Sequence, residues 1–479
     1  MTAKARITAI DRFVKGLKED NIYNDINACC VMAGWDSLAG ALTPLKGAAP
    51  TNSGFLAADL DRGIGLKGNG SSKYLNSNRA NNADGQNDNH NAVFVSHIGP
   101  GVLMASAGTA TGLNWIDLTG TPAARFFSRS NSAFQQVSAE LQTGLYAQSR
   151  AASSAFRYFC PQDANEKTAT SQTPNSANQI VFAYTNDGVS FASFSTSTIP
   201  FYSIGSSLGS DPATGLAALD ARVSTLMADL RAIEEVGFDR DALAYLRAVE
   251  EADNAFLETS VKVAVNNLVS GLKADGLWDA IGSTCLLCGP RTLAGALVPL
   301  KGDAPTSYGF VEGDFDRVGL TGDGTSYLDS NRAVDADEDS SHHISAFVET
   351  GSGVLGQYAI GAMSTSSTYT IAGGGMYSRS NTSNAALTSA TLGIVGVSRS
   401  SPANFNWKRS GGATATSVTA ATPANISVSH LVFAYNTNTA TPSGFSTSAL
   451  AFYSIGSSID LAKLDSHVSA YVTAIGAAI

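Results

Sequence analysis

Residues 38–51 read LAGALTPLKGAAPT, and residues 293–306 repeat them as LAGALVPLKGDAPT. Twelve of the 14 positions are identical, although the two stretches lie 255 residues apart. The likeness continues in the same order towards the C-terminus, with three further pairs: GLKGNGSSKYLNSNR (65–79) and GLTGDGTSYLDSNR (319–332), FSRSN (127–131) and YSRSN (377–381), FSTSTIPFYSIGSSL (194–208) and FSTSALAFYSIGSSI (445–459). One unit of about 200 residues therefore occurs twice, and a unit of that length can bury a core of its own, unlike the short repeats of a solenoid.

The composition argues against two classes of partner. Of the 479 residues, 44% are hydrophobic and 15% are charged, and the formal net charge is −10. Because nucleic-acid binding needs a cationic surface, this acidic chain is not expected to bind nucleic acid. No stretch of roughly 20 apolar residues is present to span a membrane, and the N-terminal residues lack the apolar core of a signal peptide. We expect a protein made in the cytoplasm that binds neither nucleic acid nor membrane.

Short apolar runs separated by Gly, Ser, Asn and Thr indicate a mainly β fold. Examples are NAVFVSHI (91–98), HISAFVET (343–350) and LVFAYN (431–436). Runs of four to eight residues that are rich in β-branched and aromatic side chains are typical of strands, and many of them at short spacing favour a sandwich or jelly roll. The predicted domains are jelly-roll module 1 at 21–210 and jelly-roll module 2 at 276–459.

Helices are predicted around the two modules. Residues 1–20 form an N-terminal amphipathic helix with Ile7, Ile10, Val14 and Leu17 on one face, 211–275 form a helical connector, and 460–479 form a C-terminal helix. The connector carries apolar residues at alternating spacings of three and four: Leu216, Leu219, Val223, Leu226, Leu230 and Ile233. This seam fits either a helix that packs on its own jelly roll or a coiled coil that joins subunits into a homo-oligomer, with a trimer favoured.

Two pairs of aspartates recur in both copies: Asp59 with Asp61, and Asp314 with Asp316. Carboxylates at alternate positions of an extended chain point the same way and can share Ca²⁺. An arginine follows each pair directly, so a local Asp–Arg pair at a turn is the alternative. No cofactor is expected unless Ca²⁺ binds, either at these aspartates or at the acidic loop residues Asp335, Asp337, Glu338 and Asp339.

The loops that differ most between the copies, 81–91 and 334–343, are the predicted ligand-binding segments. They contain polar residues suited to sugar hydroxyls: Asn87, Asp88, His90, Asp337, Asp339 and His343. His90 aligns with His343, yet no recurring nucleophile or acid pair accompanies the histidines, so a loop or strand-edge role without catalysis is expected. The recurring arginines (Arg129 with Arg379, Arg150 with Arg399) fit either a glycan or the interior of the sandwich.

The order of motifs in each copy resembles a known family. PLKG-APT is followed by a GxGxxxYL-SNR segment, then YSRSN, VFAY and a closing FSTS-LAFYSIGSS with a helix. This order resembles virion proteins of tailed bacteriophages that contain concanavalin A-like (LamG-like) jelly-roll modules. The resemblance implies two tandem concanavalin A/LamG-like β-sandwich domains joined by a helical segment. It also implies a place in a tail fibre, head fibre or capsid decoration, and the wider superfamily includes glycan binders, often with calcium.

These observations predict a non-enzymatic structural protein of a bacteriophage virion. We expect an external fibre or appendage, of the tail or head, that contacts other virion proteins and the host surface or its glycans. The alternative is a capsid or tail decoration protein that binds only other virion proteins. A glycan-degrading enzyme is the third hypothesis, and it is disfavoured because no acid pair suited to glycoside hydrolysis recurs between the copies.

Overall fold

The computed structural model of the chain describes residues 2–106, 111–119, 123–185, 189–209, 211–350, 358–363, 369–373, 376–380, 392–409, 413–418, 427–437 and 439–479. The last residue of the repeated YSRSN motif, Asn381, lies outside these ranges. The chain divides into two compact units, one of Met1–Val236 with Asn254–Thr259 and the other of Gly237–Asp253 with Ser260–Ile479. The predicted connector is thus shared between the two units.

The helices within the described ranges are α1 (Thr2–Glu19), α2 (Leu38–Ala41), α3 (Pro212–Glu234), α4 (Arg240–Ala252), α5 (Thr259–Ala274), α6 (Leu293–Ala296) and α7 (Leu461–Ala478). Asp211 caps α3 by accepting a hydrogen bond from the Ala213 amide, and Pro212 occupies the first turn, where its missing N–H costs nothing. In the described part of the chain, no helix combines the length and the apolar character that crossing a membrane requires.

The first unit contains the strands β1 (Ile26–Val31), β2 (Thr51–Ser53), β3 (Leu60–Asp61), β4 (Gly65–Lys67), β5 (Tyr74–Ala80), β6 (Asn89–Val95), β7 (Gly101–Ala105), β8 (Asn114–Thr119), β9 (Ala123–Ser128), β10 (Gln135–Val137), β11 (Gly144–Arg150), β12 (Ala155–Cys160), β13 (Asp163–Thr168), β14 (Asn178–Val181), β15 (Tyr184–Thr185), β16 (Phe191–Ala192), β17 (Thr198–Ile199) and β18 (Phe201–Gly205). Its two large sheets have the orders β1-β18-β6-β11-β12-β13 (the inner sheet) and β10-β9-β8-β7-β14-β5-β2 (the outer sheet).

The second unit contains the strands β19 (Ile281–Leu286), β20 (Pro299–Lys301), β21 (Thr306–Tyr308), β22 (Phe315–Asp316), β23 (Gly319–Thr321), β24 (Tyr327–Ala333), β25 (His342–Thr350), β26 (Tyr358–Met363), β27 (Tyr369–Gly373), β28 (Met376–Ser380), β29 (Gly393–Arg399), β30 (Asn404–Lys408), β31 (Ala415–Val418), β32 (Ser429–Val432), β33 (Tyr435–Thr437), β34 (Pro442–Ser443) and β35 (Ala449–Gly456). Its inner sheet contains the path β19-β35-β25-β29-β30-β31, and its outer sheet contains β21-β24-β32-β26-β27-β28.

The two units share topology and register. Each strand of the two paths in the second unit has its counterpart at the same place in the first, where β10 is an additional edge strand relative to the described strands of the second unit. At the centre of the inner sheets, His90 pairs with Ser149 and Gly205, and His343 pairs with Ser398 and Gly456. The duplication predicted from the sequence is therefore a duplication of the two-sheet sandwich, whose paired strands on these paths are antiparallel.

Two hydrophobic cores stabilise the first unit. One lies between its sheets and includes Val93, Tyr146, Ile116 and Phe126. The other lies between the inner sheet and the helices, and it includes Phe94, Phe201, Phe13 and Leu219. A continuous apolar run such as AVFV in β6 is explained by this arrangement, because both faces of the inner sheet are buried.

The apolar seam of α3 packs within the first unit. Leu216, Leu219, Val223, Leu226 and Leu230 are at most 1% exposed, and Ile233 packs partly buried against the same core. The seam therefore packs on its own jelly roll, which is the first of the two alternatives given by its spacing. Its buried side chains are not exposed to form a coiled coil between subunits. In α1 the predicted face is rotated: Phe13 and Leu17 are buried with Ala9, whereas Ile7 is 66% exposed.

The repeated LAGAL-PLKG stretch forms a short capped helix and a tight turn. Ser37 caps α2 and Thr292 caps α6. Gly47 has φ of +83°, and a Cβ there would lie 2.6 Å from a backbone oxygen, so only glycine fits. Lys46 Nζ donates to the Tyr23 carbonyl at 2.9 Å, as Lys301 does to the Trp278 carbonyl. The stretch recurs because the scaffold needs it.

The segment Asn254–Thr259 belongs to the first unit although it follows α4, which belongs to the second. The Phe256 amide donates to the Ser96 carbonyl at 3.1 Å, and the guanidinium of Arg231 lies 4.0 Å from the centre of the Phe256 ring. Asn254 donates to the Leu141 carbonyl at 2.8 Å. These contacts attach the segment to the first sandwich.

Candidate functional site

The predicted ligand-binding residues of loop 81–91 are hydrogen-bonded within their own unit. Asn87 Oδ1 accepts from the Ser171 hydroxyl at 2.6 Å. Asp88 Oδ1 accepts from both the amide and the hydroxyl of Ser207 at 2.7 Å. These contacts fix the loop, and ligand binding by the two residues stays a prediction.

In the other loop, Asp337 forms a two-bond ion pair with Arg332, at 2.6 and 2.9 Å. The first unit has the equivalent pair, Asp84 with Arg79, in which Arg79 Nε lies 2.8 Å from the carboxylate. Both carboxylates are buried, because the side chain of Asp84 is 4% exposed and that of Asp337 is 8% exposed. A charge that is paired in both copies serves the loop structure, because an unpaired buried carboxylate would be costly.

His90 lies inside the inner sheet and is completely buried. Its Nδ1 lies 2.6 Å from the Ser206 carbonyl, and its Nε2 lies 3.1 Å from the Ser203 hydroxyl. Because a carbonyl only accepts, Nδ1 must carry the proton and Nε2 accepts from serine. Burial lowers the pKa of His90, so the ring is neutral at pH 7.

His343 repeats this arrangement. Nδ1 lies 2.5 Å from the Ser457 carbonyl and Nε2 lies 2.8 Å from the Ser454 hydroxyl, and burial lowers the pKa of His343 to about 4. The expectation of a loop or strand-edge position is wrong for both histidines. The two histidines connect β6 and β25 to the residues that follow β18 and β35. Neither side chain has any exposed surface, so a ligand outside the sandwich does not contact it.

The recurring arginines lie in the interior. Arg129 donates to the Asp84 carbonyl and to Asn81, and Arg379 donates to Asp339 Oδ1 at 2.9 Å. Arg129 and Arg379 are each 1% exposed and have φ of +51° and +45°. The backbone of each arginine is left-handed, and its buried guanidinium holds the neighbouring loop residues in place. Both arginines therefore lie in the interior of the sandwich, as one of the two alternatives expected.

Arg150 and Arg399 have no exposed surface and bind backbone carbonyls. Arg150 donates to the carbonyls of Ser128, Ala152, Ala155 and Ala169 at 2.7 to 3.1 Å. Arg399 donates to those of Ser378, Arg379, Ser401 and Pro402 at 2.6 to 3.1 Å. Burial lowers the pKa of Arg150 to about 10, so it keeps its charge at pH 7 and serves the β-sandwich.

Asp59 and Asp314 cap equivalent turns. Asp59 accepts from the Leu56 amide at 2.7 Å and pairs with Lys73 at 2.5 Å. Asp314 accepts from the Val311 amide at 2.8 Å. Both carboxylates are therefore engaged with the backbone of their own turn.

Asp61 and Asp316 also bind amides. Asp61 accepts from Gly63 at 2.7 Å and from the amide and hydroxyl of Thr259 at 2.8 Å. Asp316 accepts from the Gly319 amide at 3.0 Å. Within the described part of the chain, no three histidine, cysteine or acidic side chains come together as a metal site. Calcium at these aspartates stays a prediction.

The expected local Asp–Arg pairs are wrong, because the arginines bind elsewhere. Arg62 pairs with Asp36 at 3.0 Å and Glu234 at 3.2 Å. Arg317 donates to the Gly289 carbonyl at 3.0 Å. In each unit the arginine thus connects the turn that holds it to the residues that follow the first strand, β1 in the first unit and β19 in the second.

The sequence-based reasoning missed the aromatic side chains on the outer face of the outer sheet. In the first unit the Trp115 ring lies 4.6 Å from Tyr184 and 6.3 Å from Phe127, and Phe127 stacks on Phe134 at 4.7 Å. Phe134 is 38% exposed. The alternation of side chains along a strand could have predicted these rings. In WID (115–117) and RFF (125–127), Trp115 and Phe127 lie on the face opposite to the core residues Ile116 and Phe126.

No protein-family model and no curated protein matches the chain. Solved structures resemble it in fold. They include mouse laminin alpha1 domains LG4-5, with 9% identity, 78% of this chain and 83% of that chain covered, and a TM-score of 0.20. The CBM40 of a Ruminococcus gnavus IT-sialidase bound to sialyllactose has 9% identity, 25% and 74% coverage and a TM-score of 0.20. The enzymatically active domain of a Bacteriophage CBA120 tailspike protein has 11% identity, 36% and 29% coverage and a TM-score of 0.22.

The fold consists of two tandem jelly-roll β-sandwiches. Seven described helices and the two large sheets of each unit define this mainly β architecture. The solved structures share no more than 11% identity with the chain, so they carry no argument about what it binds.

Proposed function

We propose that this protein is a non-enzymatic structural component of a bacteriophage virion, an external tail or head fibre that contacts the host surface or its glycans. The proposal rests on one observation: the ionisable side chains that recur in both units stabilise the sandwich and are not exposed to a ligand. His90, Arg129, Arg150 and their counterparts in the second unit are buried and bonded to the sandwich itself. Duplication has therefore preserved a scaffold, while the loops and outer faces differ between the copies.

Two sandwich units in one chain favour adhesion. Linked sites make the second binding event intramolecular, so weak contacts to a repetitive surface add up to tight attachment. The proposal includes location in the virion, contacts with other virion proteins, and assembly as a symmetric homo-oligomer with three chains favoured. Such assembly would use surfaces other than the buried seam of α3.

Immunogold electron microscopy of native particles, with antibody raised against the recombinant chain, tests the proposal. We expect sparse label at a tail or vertex. Dense label over the shell or along the tail would instead favour the decoration protein, which binds only virion proteins. Particles without label would contradict both virion assignments.

The glycan-degrading alternative has a separate test. Release of reducing sugar from bacterial surface polysaccharide is measured for the wild-type chain and for the Asp59→Asn/Asp61→Asn/Asp314→Asn/Asp316→Asn variant. We expect no release by either protein. Release by the wild type that is lost in the variant would contradict the non-enzymatic proposal.

A further inference from the structure

A cluster of three aromatic rings lies at the edge of the outer sheet in the first unit. The Tyr74 ring stacks on Phe191 at 3.9 Å with an interplanar angle of 19°, and it lies 6.4 Å from Phe194. All three side chains are partly exposed. Tyr74 begins β5, in which the next residue, Leu75, points into the core, so Tyr74 faces outward.

The second unit has a three-ring cluster at the same place. Tyr308 stacks on Tyr327 at 4.7 Å with an interplanar angle of 10°, and Tyr327 lies 6.1 Å from Phe445. Tyr308 is 46% exposed. Tyr327 aligns with Tyr74 and Phe445 with Phe194, so two of the three rings recur by descent.

The third ring comes from a different segment in each unit. Tyr308 aligns with Ser53, and Phe191 aligns with Pro442. In the first unit the ring is supplied by β16, and in the second by β21, whose Tyr308 pairs directly with Tyr327. The two units differ at both of these aligned positions, and yet each has a ring stacked on the equivalent tyrosine, Tyr74 or Tyr327. An exposed ring contributes little to the core, so its retention by two routes indicates a role at the surface.

We propose that each three-ring cluster is a platform for a pyranose ring of a neutral saccharide, an inference that rests on the proposed host-binding function and assigns its site. The C–H face of a pyranose packs on the electron-rich face of an aromatic ring. The charged side chain next to Tyr74, Lys73, is neutralised by Asp59 at 2.5 Å. At the first cluster, rings beside a balanced charge suit an uncharged sugar better than a polyanion. At the second cluster the nearby Asp329 carboxylate acts on Tyr327 and disfavours an anionic sugar.

An array of immobilised microbial glycans, both neutral and acidic, tests this with the full chain. The variants are Phe191→Ser in the first unit and Tyr308→Ser in the second, which gives the second unit the serine that the first has at position 53. Phe134→Ala removes an exposed, stacked ring elsewhere in the first unit and is the matched control. Each single variant is expected to bind neutral glycans about tenfold more weakly, since one stacked ring and the two-site attachment are lost. The double variant is expected to lose binding, and Phe134→Ala to retain it.

A rescue variant separates the role in binding from a role in folding. Ser53→Tyr combined with Phe191→Ser moves the third ring of the first unit to the position it has in the second, opposite Tyr74. Binding restored to within about threefold of wild type supports the platform. Failure of rescue, no glycan binding by the wild type, binding confined to acidic glycans, or equal loss in Phe134→Ala would each overturn it. Those results leave the virion proposal standing if particles are labelled. Glycan binding without label would reject the virion proposal alone.

Discussion

Acid should destabilise the second unit before the first, because the two units bury different numbers of histidines. His342, His343 and His430 are at most 3% exposed in the second unit, whereas the position equivalent to His342 is Asn89 and that equivalent to His430 is Gln179. Burial lowers the pKa of His343 to about 4 and of His430 to about 3, and it lowers that of His342 well below its usual range, with nearby Arg379 adding to the effect.

The magnitude follows from proton linkage. A histidine with a lowered folded-state pKa binds its proton only in the unfolded chain, so its contribution to stability is complete above pH 6.5 and falls as the pH decreases towards the folded pKa. The loss is about 1.4 kcal/mol per pH unit for each histidine. At pH 5 this amounts to about 2 kcal/mol each for His343 and His430, or about 4 kcal/mol for the two, and the lowered pKa of His342 adds to this loss. In the first unit the lowered pKa of His90 acts in the same direction, but the positions equivalent to His342 and His430 hold no histidine.

Hydrogen exchange with mass spectrometry at pH 7, 6 and 5, in a fixed low concentration of urea, resolves the two units by peptide. Peptides of the second unit should lose protection first. Carboxylates titrate in both units, so the variant His342→Asn/His430→Gln, which installs the residues of the first unit, isolates the histidine effect. It should bring the acid response of the second unit close to that of the first. Simultaneous loss of protection in both units, or an unchanged response of the variant, would refute the reasoning.

Three further outcomes are expected. Arg150→Lys should lower the stability of the first unit by about 3 kcal/mol in chemical denaturation, because one ammonium does not satisfy four carbonyls; a change below about 1 kcal/mol would show that the bonds are dispensable. Leu219→Ala should cost about 2 to 5 kcal/mol and leave the mass measured by light scattering unchanged, whereas a change of mass at constant stability would return α3 to a subunit interface. The five cysteines, all buried and with pKa values raised by burial, should react with iodoacetamide only in denaturant, and fast labelling of the native chain would contradict their burial.

The fold could be predicted because duplication makes the pattern visible twice. Strands and short loops recur in the same order, and α3 was expected from its apolar spacing. The N-terminal helix was predicted less well, since Ile7 fits the spacing and yet is exposed while Phe13 is buried. Spacing along a helix defines several overlapping faces, and only the tertiary partner selects one of them.

The roles of polar residues were harder to predict, for a physical reason. A recurring histidine or arginine is expected both where a ligand binds and where a buried carbonyl needs a donor. The sequence does not distinguish the carbonyl of Ser206 from a ligand of His90, because that contact joins residues 116 positions apart. The aromatic clusters were missed for the opposite reason: their third rings do not align, so a comparison of the copies position by position hides them.

The return of the chain to the first sandwich at Asn254–Thr259 has a consequence for biosynthesis. Translation proceeds from the N-terminus at roughly 5–20 residues per second, and a nascent chain that stops at Val236 has all strands of the first sandwich but lacks this segment. Synthesis of the helix Arg240–Ala252 therefore intervenes before the ribosome releases the last piece of the first fold. A gene fragment cut between the repeats at the end of α3 would encode an incomplete protein, and its termination point belongs after Thr259.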